Sequence, residues 1–296
     1  MKVLVTGASG FLGAFVARDL AGAGHEVTGL HRSDSRFLQR LAGACAVTLV
    51  RRDLADVGTL SGPFDAVVHT AATSPAPGID TARVVRDNVA GTAALIADAE
   101  RWGCRSFIFC SSLSLYGVIS RAVVDESTPI VNPDAYGATK HLCELMLADR
   151  AGTLPSLSLR LPGVLGPGAH RNWLSGVAAR LLAGEPVRAY HLDGPFNNAA
   201  YVADIAALAR RVVSRSWTGF DAVVLGARGE ITVRGAIQRL AAGLNVVPNI
   251  EEQPVVKPSF TLSPDRAIAS WGYDPLEIGA LIDRYAGDVL AWHLGA

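Results

Sequence analysis

The chain has 296 residues, which exceeds one typical domain and predicts either a large α/β unit or a main domain with an appendage. Its 27 Lys and Arg residues balance 27 Asp and Glu residues, and the formal net charge of +0 argues against binding of nucleic acid or another polyanion. Hydrophobic residues make up 50% of the chain, yet no uninterrupted apolar stretch reaches the roughly 18 residues that a membrane helix needs.

The chain opens with the segment MKVLVTGASGFLG, which is its clearest structural signal. An apolar run at residues 3–5 predicts a buried strand, residues 15–23 have a helical pattern, and residues 26–30 predict a second strand. The turn between the first strand and the helix carries Gly7, Gly10 and Gly13. Such glycines let the backbone approach a pyrophosphate, whose charge the free N–H groups of the helix start then bind. The segment therefore predicts a dinucleotide site.

Strand-like and helix-like segments alternate through the rest of the first half. The strand-like runs cover residues 46–50, 66–69, 106–110 and 156–161. Helical patterns cover residues 88–102 and 136–151. This alternation predicts right-handed crossovers and a parallel sheet with helices on both faces.

After Pro162 the pattern becomes less regular. A cluster of chain breakers follows, at Gly163, Gly166, Pro167 and Gly168. Residues 222–225 predict one more strand, and helices are expected at 235–243 and from 276 to about 292. We therefore predict an α/β fold, a Rossmann-type doubly wound parallel sheet with a smaller, interleaved C-terminal substrate lobe. Residues 1–165 would form the dinucleotide-binding domain, with a later strand near 222–226, and residues 166–296 mainly the substrate lobe.

The cysteines show no C-x-x-C spacing and no paired histidine ligands. They are Cys45, Cys104, Cys110 and Cys143. This pattern favours reduced, packed thiols over a metal site. Because the first strand begins at once, no room is left for a signal peptide. We expect a cytoplasmic protein without a bound metal, whose partner is a small-molecule substrate rather than nucleic acid or a membrane.

Tyr136 and Lys140 have the spacing Y-x-x-x-K at the start of a predicted helix, which places both side chains on one face. A lysine ammonium beside a phenol stabilises the phenolate, so the tyrosine can exchange a proton near neutral pH. Such a pair also arises by chance. Ser112 strengthens the interpretation because it follows the strand at 106–110, where an α/β sheet places its reactive groups. Its hydroxyl can orient a substrate carbonyl or alkoxide toward Tyr136.

Together these segments resemble the extended short-chain dehydrogenases/reductases, the NAD-dependent epimerase/dehydratase family. The resemblance covers nearly the whole chain and implies a Rossmann fold and an NAD(P)-dependent oxidoreductase. The segments that carry it are TGASGFLG at 6–13, Asp53-Leu54, HTAA at 69–72, Asn88 with Gly91-Thr92, SSLSLYG at 111–117, YGATK at 136–140 and SPDRAIASWGYDP at 263–275.

The resemblance also implies roles for single residues. Ser112 would be the catalytic serine, Tyr136 the general acid/base, and Lys140 a catalytic group that also holds the nicotinamide ribose. Asn88 has two interpretations, since it could support the cofactor loop or cap the following helix. The residues that the family pattern places at the cofactor are Gly7, Gly10, Phe11, Leu12, Gly13, Asp53, Leu54, Ala71, Ala72, Asn88, Tyr136, Lys140 and Pro162.

The end of the second strand bears on the choice of cofactor. NAD-preferring Rossmann sites place an Asp or Glu there to bind the ribose hydroxyls, whereas this strand ends in His31-Arg32-Ser33. Arg32, assisted by Ser33, could bind a 2′-phosphate, and the alternative is a solvated loop arginine. The sequence therefore favours NADP(H), with NAD(H) possible.

Two departures from the family pattern concern the substrate. Leu113 and Ser114 stand where dehydratases carry an acidic pair, which argues against dehydration. Gly163 and Asn197 stand where nucleotide-sugar enzymes place an asparagine and an arginine, and residues 251–254 are acidic where another arginine is common. These differences remove charge-assisted contacts to a diphosphate. The candidates for substrate contact are Thr73, Ser114 and Arg171.

Two enzyme functions follow from the sequence. The first is NADPH-dependent reduction of a keto group on a sugar or other small metabolite, with Tyr136 as general acid. The alternative is an NAD-dependent (nucleotide-)sugar epimerase, which uses the same groups for transient oxidation. A cofactor-sensing regulator without turnover is disfavoured because Ser112, Tyr136 and Lys140 are all present. Relatives often pair through the helices after Asn88 and Tyr136, so a homodimer is expected.

Overall fold

In the computed structural model, which describes residues 1–42, 46–54, 60, 62–254 and 258–293, seven parallel strands form one central sheet. The strands along the described chain are β1 (Lys2–Thr6), β2 (Glu26–His31), β3 (Val47–Arg51), β4 (Ala66–His69), β5 (Ser106–Ser112), β6 (Val123–Val124), β7 (Ser156–Leu161), β8 (Gly163–Leu165), β9 (Val187–Ala189), β10 (Pro195–Phe196), β11 (Ala199–Tyr201), β12 (Phe220–Val224), β13 (Ile231–Thr232), β14 (Ile250–Glu252) and β15 (Thr261–Leu262). The helices are α1 (Phe11–Gly22), α2 (Arg36–Ala42), α3 (Thr81–Val85), α4 (Gly91–Trp102), α5 (Ala135–Ala148), α6 (Trp173–Leu182), α7 (Val202–Val213), α8 (Val233–Gly243), α9 (Asp265–Trp271) and α10 (Ile278–His293).

The central sheet has the strand order β12-β7-β5-β4-β1-β2-β3. Val3 on β1 pairs with Val27 on β2 and with Ala66 on β4, and Val3 and Ala66 are fully buried. Continuous apolar strands of this kind need helices on both faces of the sheet. The direction of winding reverses between β1 and β4, and ligands of such sheets bind outside the carboxyl ends of the strands at that reversal. The predicted doubly wound Rossmann-type fold is confirmed.

Several predicted element ends differ from those observed. The first helix begins at Phe11 rather than at residue 15, because Gly10 is already its N-terminal cap. The helix predicted at 88–102 starts within a π-helical turn at Arg86–Ala90, and α4 begins only at Gly91. β5 runs through to Ser112, so this serine is the last strand residue. The predicted strands at 66–69 and 156–161 are confirmed to the residue.

The described chain divides into two compact units, each with its own core. Unit 1 comprises residues 1–118, 129–160 and 205–223 and includes the central sheet except for the last residues of β7 and β12. Its buried cluster includes Leu4, Val67, Phe107 and Leu147. Among the described residues, no helix combines the length and the apolarity needed to cross a bilayer.

Unit 2 comprises residues 119–128, 161–204 and 224–296, apart from the few positions that the structure leaves undescribed. Its buried cluster forms mainly on α6, α8 and α10, with Leu181, Leu240 and Ile282 among its members. Within its described residues, two-stranded sheets pair β6 with β15, β8 with β11, β9 with β14 and β10 with β13.

Candidate active site

The glycine turn after β1 lies tightly against the segment that follows β4. Gly7 has a φ of +73°, and a Cβ on it would come within 2.8 Å of the Ala71 nitrogen. A Cβ on Gly13 would overlap the carbonyl oxygen of Gly7, and Gly10 N donates to that same oxygen at 2.8 Å. These positions accept only glycine without a shift of the backbone.

The N-terminus of α1 is open to an anion. The described residues provide no side-chain cap at Gly10 and no acidic residue in the first turn. Phe11 begins the helix and packs its ring against Phe15 and Phe37. Phe11 and Leu12 are each half-buried. A helix N-terminus without a side-chain cap or an acidic first turn is a typical binding site for phosphate. The turn therefore fits the pyrophosphate of a dinucleotide, the cofactor class that the sequence implies.

His69 joins the carboxyl ends of β1 and β4. Its Nδ1 lies 2.7 Å from Thr6 Oγ1, and its Nε2 lies 2.9 Å from Thr92 Oγ1. Burial, with a smaller contribution from the charge of Lys140, lowers the pKa of His69 to about 3, so the ring is neutral at physiological pH. Since Thr92 gives its hydroxyl proton to the carbonyl of Asn88, Nε2 of His69 carries the proton and donates to Thr92. The histidine fixes the two strands at which the sheet order reverses.

Asn88 braces the loop that follows β4. Its Oδ1 accepts from Thr73 N at 2.7 Å, and its Nδ2 donates to Thr73 O at 3.1 Å and to Thr139 Oγ1 at 3.2 Å. It lies inside the π-helical turn, and α4 has no side-chain cap. The helix-capping alternative for Asn88 is therefore wrong. The Asn88 amide instead connects the loop containing Ala71, Ala72 and Thr73 to the π-helical turn and to Thr139 on α5.

Ser112 and Ser114 bring two hydroxyls together at the end of β5. Ser112 Oγ accepts from Ser114 N at 3.1 Å and caps the 3₁₀ turn Leu113–Tyr116. The two hydroxyl oxygens lie 3.2 Å apart. Both predicted residues thus lie at the carboxyl edge of the sheet. Because Leu113 and Ser114 occupy this turn, neither of the two positions provides a carboxylate base.

The helix that carries Tyr136 packs closely on this serine turn. A Cβ on Gly137 would overlap the carbonyl oxygen of Ser114, so glycine permits the contact. Asp134 caps α5 by accepting from Gly137 N at 2.7 Å. Tyr136, in the first turn of α5, is thereby held beside the end of β5 where Ser112 lies.

Lys140 places a buried cation beside Tyr136. The residue is 3% exposed, and its Nζ donates to the carbonyl oxygen of Cys110 at 2.8 Å. The ammonium nitrogen lies 4.7 Å from the centroid of the Phe109 ring and 5.6 Å from that of the Tyr136 ring. Lys140 thus holds a buried cation near the ring of Tyr136. The structure thus brings Ser112, Tyr136 and Lys140 to one edge of the sheet.

A buried ion pair lies behind these residues, and sequence reasoning missed it. Arg160 Nη2 lies 2.8 Å from Glu144 Oε2, and Arg160 Nη1 donates to the Tyr116 hydroxyl at 2.8 Å. Ser158 Oγ donates to Glu144 Oε1 at 2.7 Å. The network joins α5, the 3₁₀ turn and β7. The available signal was Glu144, which lies four residues after Lys140 and thus on the same helix face.

Arg32, predicted to bind a 2′-phosphate, meets two carboxylates instead. Its Nη1 lies 3.2 Å from Asp87 Oδ2 and 3.7 Å from Asp53 Oδ2. Nδ1 of the neighbouring His31 lies 3.3 Å from the carbonyl oxygen of Ser33, and the histidine is buried. Sequence reasoning missed Asp87, although it precedes Asn88 in a recognised segment.

Two other residues that the sequence predicts at the cofactor, Leu54 and Pro162, are partly buried against neighbouring elements. Leu54 lies against the start of α4, where a Cβ on Gly91 would come within 3.1 Å of Leu54 Cδ1. Pro162 is half-buried between β7 and β8. It belongs to unit 2.

Unit 2 holds the remaining substrate candidates. Arg171 is exposed and has a left-handed backbone conformation, with a φ of +58°. Asn197 is buried. Its Oδ1 accepts from the Leu262 backbone N at 2.7 Å, and its Nδ2 donates to the Leu262 carbonyl oxygen at 2.8 Å. Where the family pattern has an arginine, this chain therefore has an asparagine whose side-chain amide is hydrogen-bonded to the backbone of Leu262. Glu251, in the acidic segment, pairs with Arg188 at 2.9 Å.

The described cysteines are Cys104, Cys110 and Cys143, which are buried, as predicted for packed thiols, and form no disulfide with one another. Burial raises the pKa of the Cys104 and Cys110 thiols to about 12, so neither is a nucleophile at neutral pH. Cys45 lies outside the described residues. Over the part of the chain that the structure describes, no three His, Cys, Asp or Glu side chains are grouped to hold a metal.

The chain is similar in sequence to several sugar epimerases. The UDP-glucose 4-epimerase of Streptomyces lividans is 31% identical over 180 residues, which is 57% of this chain and 54% of that protein. The UDP-glucose 4-epimerase of Bacillus subtilis is 29% identical over 162 residues, which is 50% of this chain and 48% of that protein. In both cases the chain spans about half the length of the relative that it matches.

Solved structures give the same fold, and the family model covers most of the chain. UDP-glucuronic acid 4-epimerase from Bacillus cereus in complex with NAD has a TM-score of 0.86 at 20% identity, over 100% of this chain and 99% of that one. UDP-glucose-4-epimerase from Stenotrophomonas maltophila with bound NAD and formylated UDP-arabinopyranose has a TM-score of 0.86 at 22% identity, over 100% and 98%. The model of the NAD dependent epimerase/dehydratase family matches residues 3–226. The chain therefore belongs to this family, whose similar members are enzymes of the extended short-chain dehydrogenase/reductase type.

Proposed function

We propose that the protein is an NAD-dependent sugar epimerase that oxidises one secondary hydroxyl transiently and then returns hydride to the opposite face. The observation that carries this proposal is the grouping of Ser112, Tyr136 and the buried Lys140 cation at the carboxyl edge of the sheet. The family and the epimerases that the chain resembles support the same chemistry. Dehydration has no support, because Ser114 stands where a base would be needed.

The cofactor would be held by groups already described. Its pyrophosphate fits the open N-terminus of α1, with the glycine turn and Ala71 beside it, and the residues near Arg32 lie where the adenosine ribose is read. When bound, the nicotinamide supplies the acceptor and donor of hydride. The remaining chemistry belongs to side chains of this chain.

Tyr136 is the proposed general base and acid. Its phenolate takes the hydroxyl proton of the substrate as the carbon loses hydride, and its phenol returns the proton when the carbonyl is reduced. Lys140 stabilises the phenolate through its charge. Ser112 donates a hydrogen bond to the same substrate oxygen and holds it toward Tyr136.

NADPH-dependent reduction of a keto sugar or small ketone is the second candidate function. Arg32 and the missing acid at the end of β2 favour it. The pairing of Arg32 with Asp87 and Asp53 favours NAD instead, because a 2′-phosphate would compete with two carboxylates for the guanidinium. We rank the epimerase first for this reason.

The proposed substrate is a sugar. If it is a nucleotide sugar, its diphosphate is bound by residues other than those of the family pattern. Asn197 is engaged with Leu262 and leaves no cation at the position where an arginine would bind a diphosphate. Arg171 is our candidate for an anionic group of the substrate, because arginine matches phosphate and carboxylate. Thr73 gives its hydroxyl proton to Asp87 at 2.8 Å, so it would act toward the substrate as an acceptor.

The test is an epimerisation assay in D₂O with NAD and a panel of UDP-sugars and free sugars, followed by NMR. We expect one epimer pair to equilibrate without net consumption of NAD. The inverted carbon should retain its protium, since hydride returns from the cofactor rather than from solvent. Deuterium at that carbon would contradict the proposal. Stoichiometric oxidation of NADPH by a ketone would move the reductase to first place.

We also propose a cytoplasmic homodimer that pairs through α5. Leu142 and Leu145 on this helix are 44% and 48% exposed, and Val85 on α3 is 43% exposed. Exposed apolar side chains grouped in this way favour an interface. The double variant Leu142→Glu/Leu145→Glu is expected to halve the molar mass measured by light scattering. Leu182→Glu on α6, 38% exposed, is the matched control and should leave the mass unchanged. A wild-type monomer would contradict the proposal.

A further inference from the structure

Asp87 is the centre of a charged cluster that the proposed chemistry does not use. Its Oδ2 lies 3.2 Å from Arg32 Nη1 and 3.6 Å from Arg83 Nε, and its Oδ1 lies 3.4 Å from Arg86 Nε. Thr73 Oγ1 donates to Oδ2 at 2.8 Å. The side chain of Asp87 is 15% exposed, whereas those of the three arginines are between 43% and 69% exposed. A largely buried carboxylate thus lies among partly exposed cations.

The backbone sets this position through the π-helical turn Arg86–Ala90. Within it, Asn88 bonds the backbone of Thr73, while the preceding Asp87 accepts the hydroxyl of the same threonine and meets Arg32. Such turns insert one residue into a helix and occur frequently at functional sites. The turn therefore presents two successive side chains to the loop after β4 and to the end of β2.

Asp87 is ionised at physiological pH. Burial by itself would raise its pKa, but the hydrogen bonds from Thr73 and Arg32 and the charges of Arg32 and Arg86 outweigh burial and hold the pKa below its usual value. Arg32 thus faces a full negative charge at 3.2 Å and a second one, Asp53, at 3.7 Å.

We propose that Asp87, supported by Asp53, selects NAD over NADP by occupying Arg32. The residue at the end of the second strand reads the adenosine ribose in Rossmann sites, where an acid favours the 2′-hydroxyl and an arginine accommodates the 2′-phosphate. Here the strand supplies the arginine, and two carboxylates from other segments supply the acid. A 2′-phosphate would have to compete with both for the guanidinium and would be repelled by them. The inference rests on the proposed dinucleotide site.

Removal of the carboxylate should shift the cofactor preference toward NADPH. In Asp87→Asn the amide oxygen can still accept from Thr73. The three arginines lose the carboxylate that they share, and Arg32 keeps its contact with Asp53. Because these arginines are about half exposed, solvent screens their charge, and we expect a shift of about tenfold rather than many orders of magnitude.

The experiment measures the Kd of NADH and of NADPH by calorimetry, independently of turnover. Wild type is expected to bind NADH at least tenfold more tightly. Asp87→Asn should raise the NADPH-to-NADH affinity ratio about tenfold, or about 1.4 kcal/mol, and the double variant Asp87→Asn/Arg32→Gln should cancel the gain. Asp98→Asn, which removes an acid paired with Arg101 on α4, is the matched control and should leave the ratio unchanged.

The outcomes separate this inference from the proposed function. An Asp87→Asn protein with an unchanged ratio overturns the role of Asp87 and leaves the proposed epimerase chemistry intact. A wild type that prefers NADPH overturns the role of Asp87 and also removes the reason for ranking the epimerase above the reductase. Failure of wild type to bind either cofactor overturns both. If Asp87→Asn does not fold by thermal melting, Asp53→Asn replaces it. That variant should shift the ratio in the same direction by a smaller factor, and no shift overturns the inference.

Discussion

Tyr136→Phe is expected to lower kcat by roughly 10²–10⁴-fold, the usual contribution of a general acid–base group. Only the phenolic oxygen is lost. The ring remains to pack against the Lys140 ammonium, 5.6 Å from its centroid, and the glycine turn at α1 is untouched. Cofactor affinity should therefore survive. Single-turnover absorbance of the reduced nicotinamide measures the chemical step, and calorimetry measures binding.

Tyr285→Phe is the matched control for this substitution. Tyr285 is a buried tyrosine of α10 in the core of unit 2, and its loss of a hydroxyl should leave kcat near the wild-type value. Turnover of Tyr136→Phe at the wild-type rate would remove Tyr136 from the mechanism. A collapse of cofactor binding together with turnover would instead assign the phenol to the binding of the nicotinamide ribose.

The elements that the sequence predicted well are those determined by local composition. Residues 66–69 form β4 without a shift of either end, because a strand buried on both faces needs an unbroken apolar run. The sequence pattern predicts the start of α1 four residues late, because all three glycines are typical of a turn. In the structure Gly13 is already inside the helix, where it avoids the carbonyl of Gly7.

Pairings between distant charges were not predictable from the sequence. Arg32 was interpreted from its place at the end of β2, yet its partner Asp87 is 55 residues away. The π-helical turn that orients Asp87 has no pattern that distinguishes it from an ordinary helix. The Glu144–Arg160 pair was missed for a related reason. Charged residues are almost never fully buried unless paired, and the pairing depends on how α5 packs on the sheet.

Glu144→Ala is expected to be the most destabilising single substitution considered for this chain, lowering the free energy of unfolding by about 3–5 kcal/mol. The Glu144 and Arg160 side chains are only 4% and 10% exposed, so Arg160 would lose, in a buried site, the carboxylate that pairs with its charge. Ser158 would lose its acceptor as well. Denaturant unfolding followed by circular dichroism measures the loss. Since two units need not unfold together, the transition of the central sheet should be fitted separately.

Two further variants decide whether charge burial is the cause. Glu185→Ala breaks the exposed pair with Arg180, whose side chains are 57% and 52% exposed, and should cost less than about 1 kcal/mol. Glu144→Met/Arg160→Met removes both buried charges and should regain much of the stability lost by Glu144→Ala, because no ion is then left unpaired. If the double variant is as unstable as the single one, the hydrogen bonds to Tyr116 and Ser158, rather than an unpaired charge, hold α5 on the sheet.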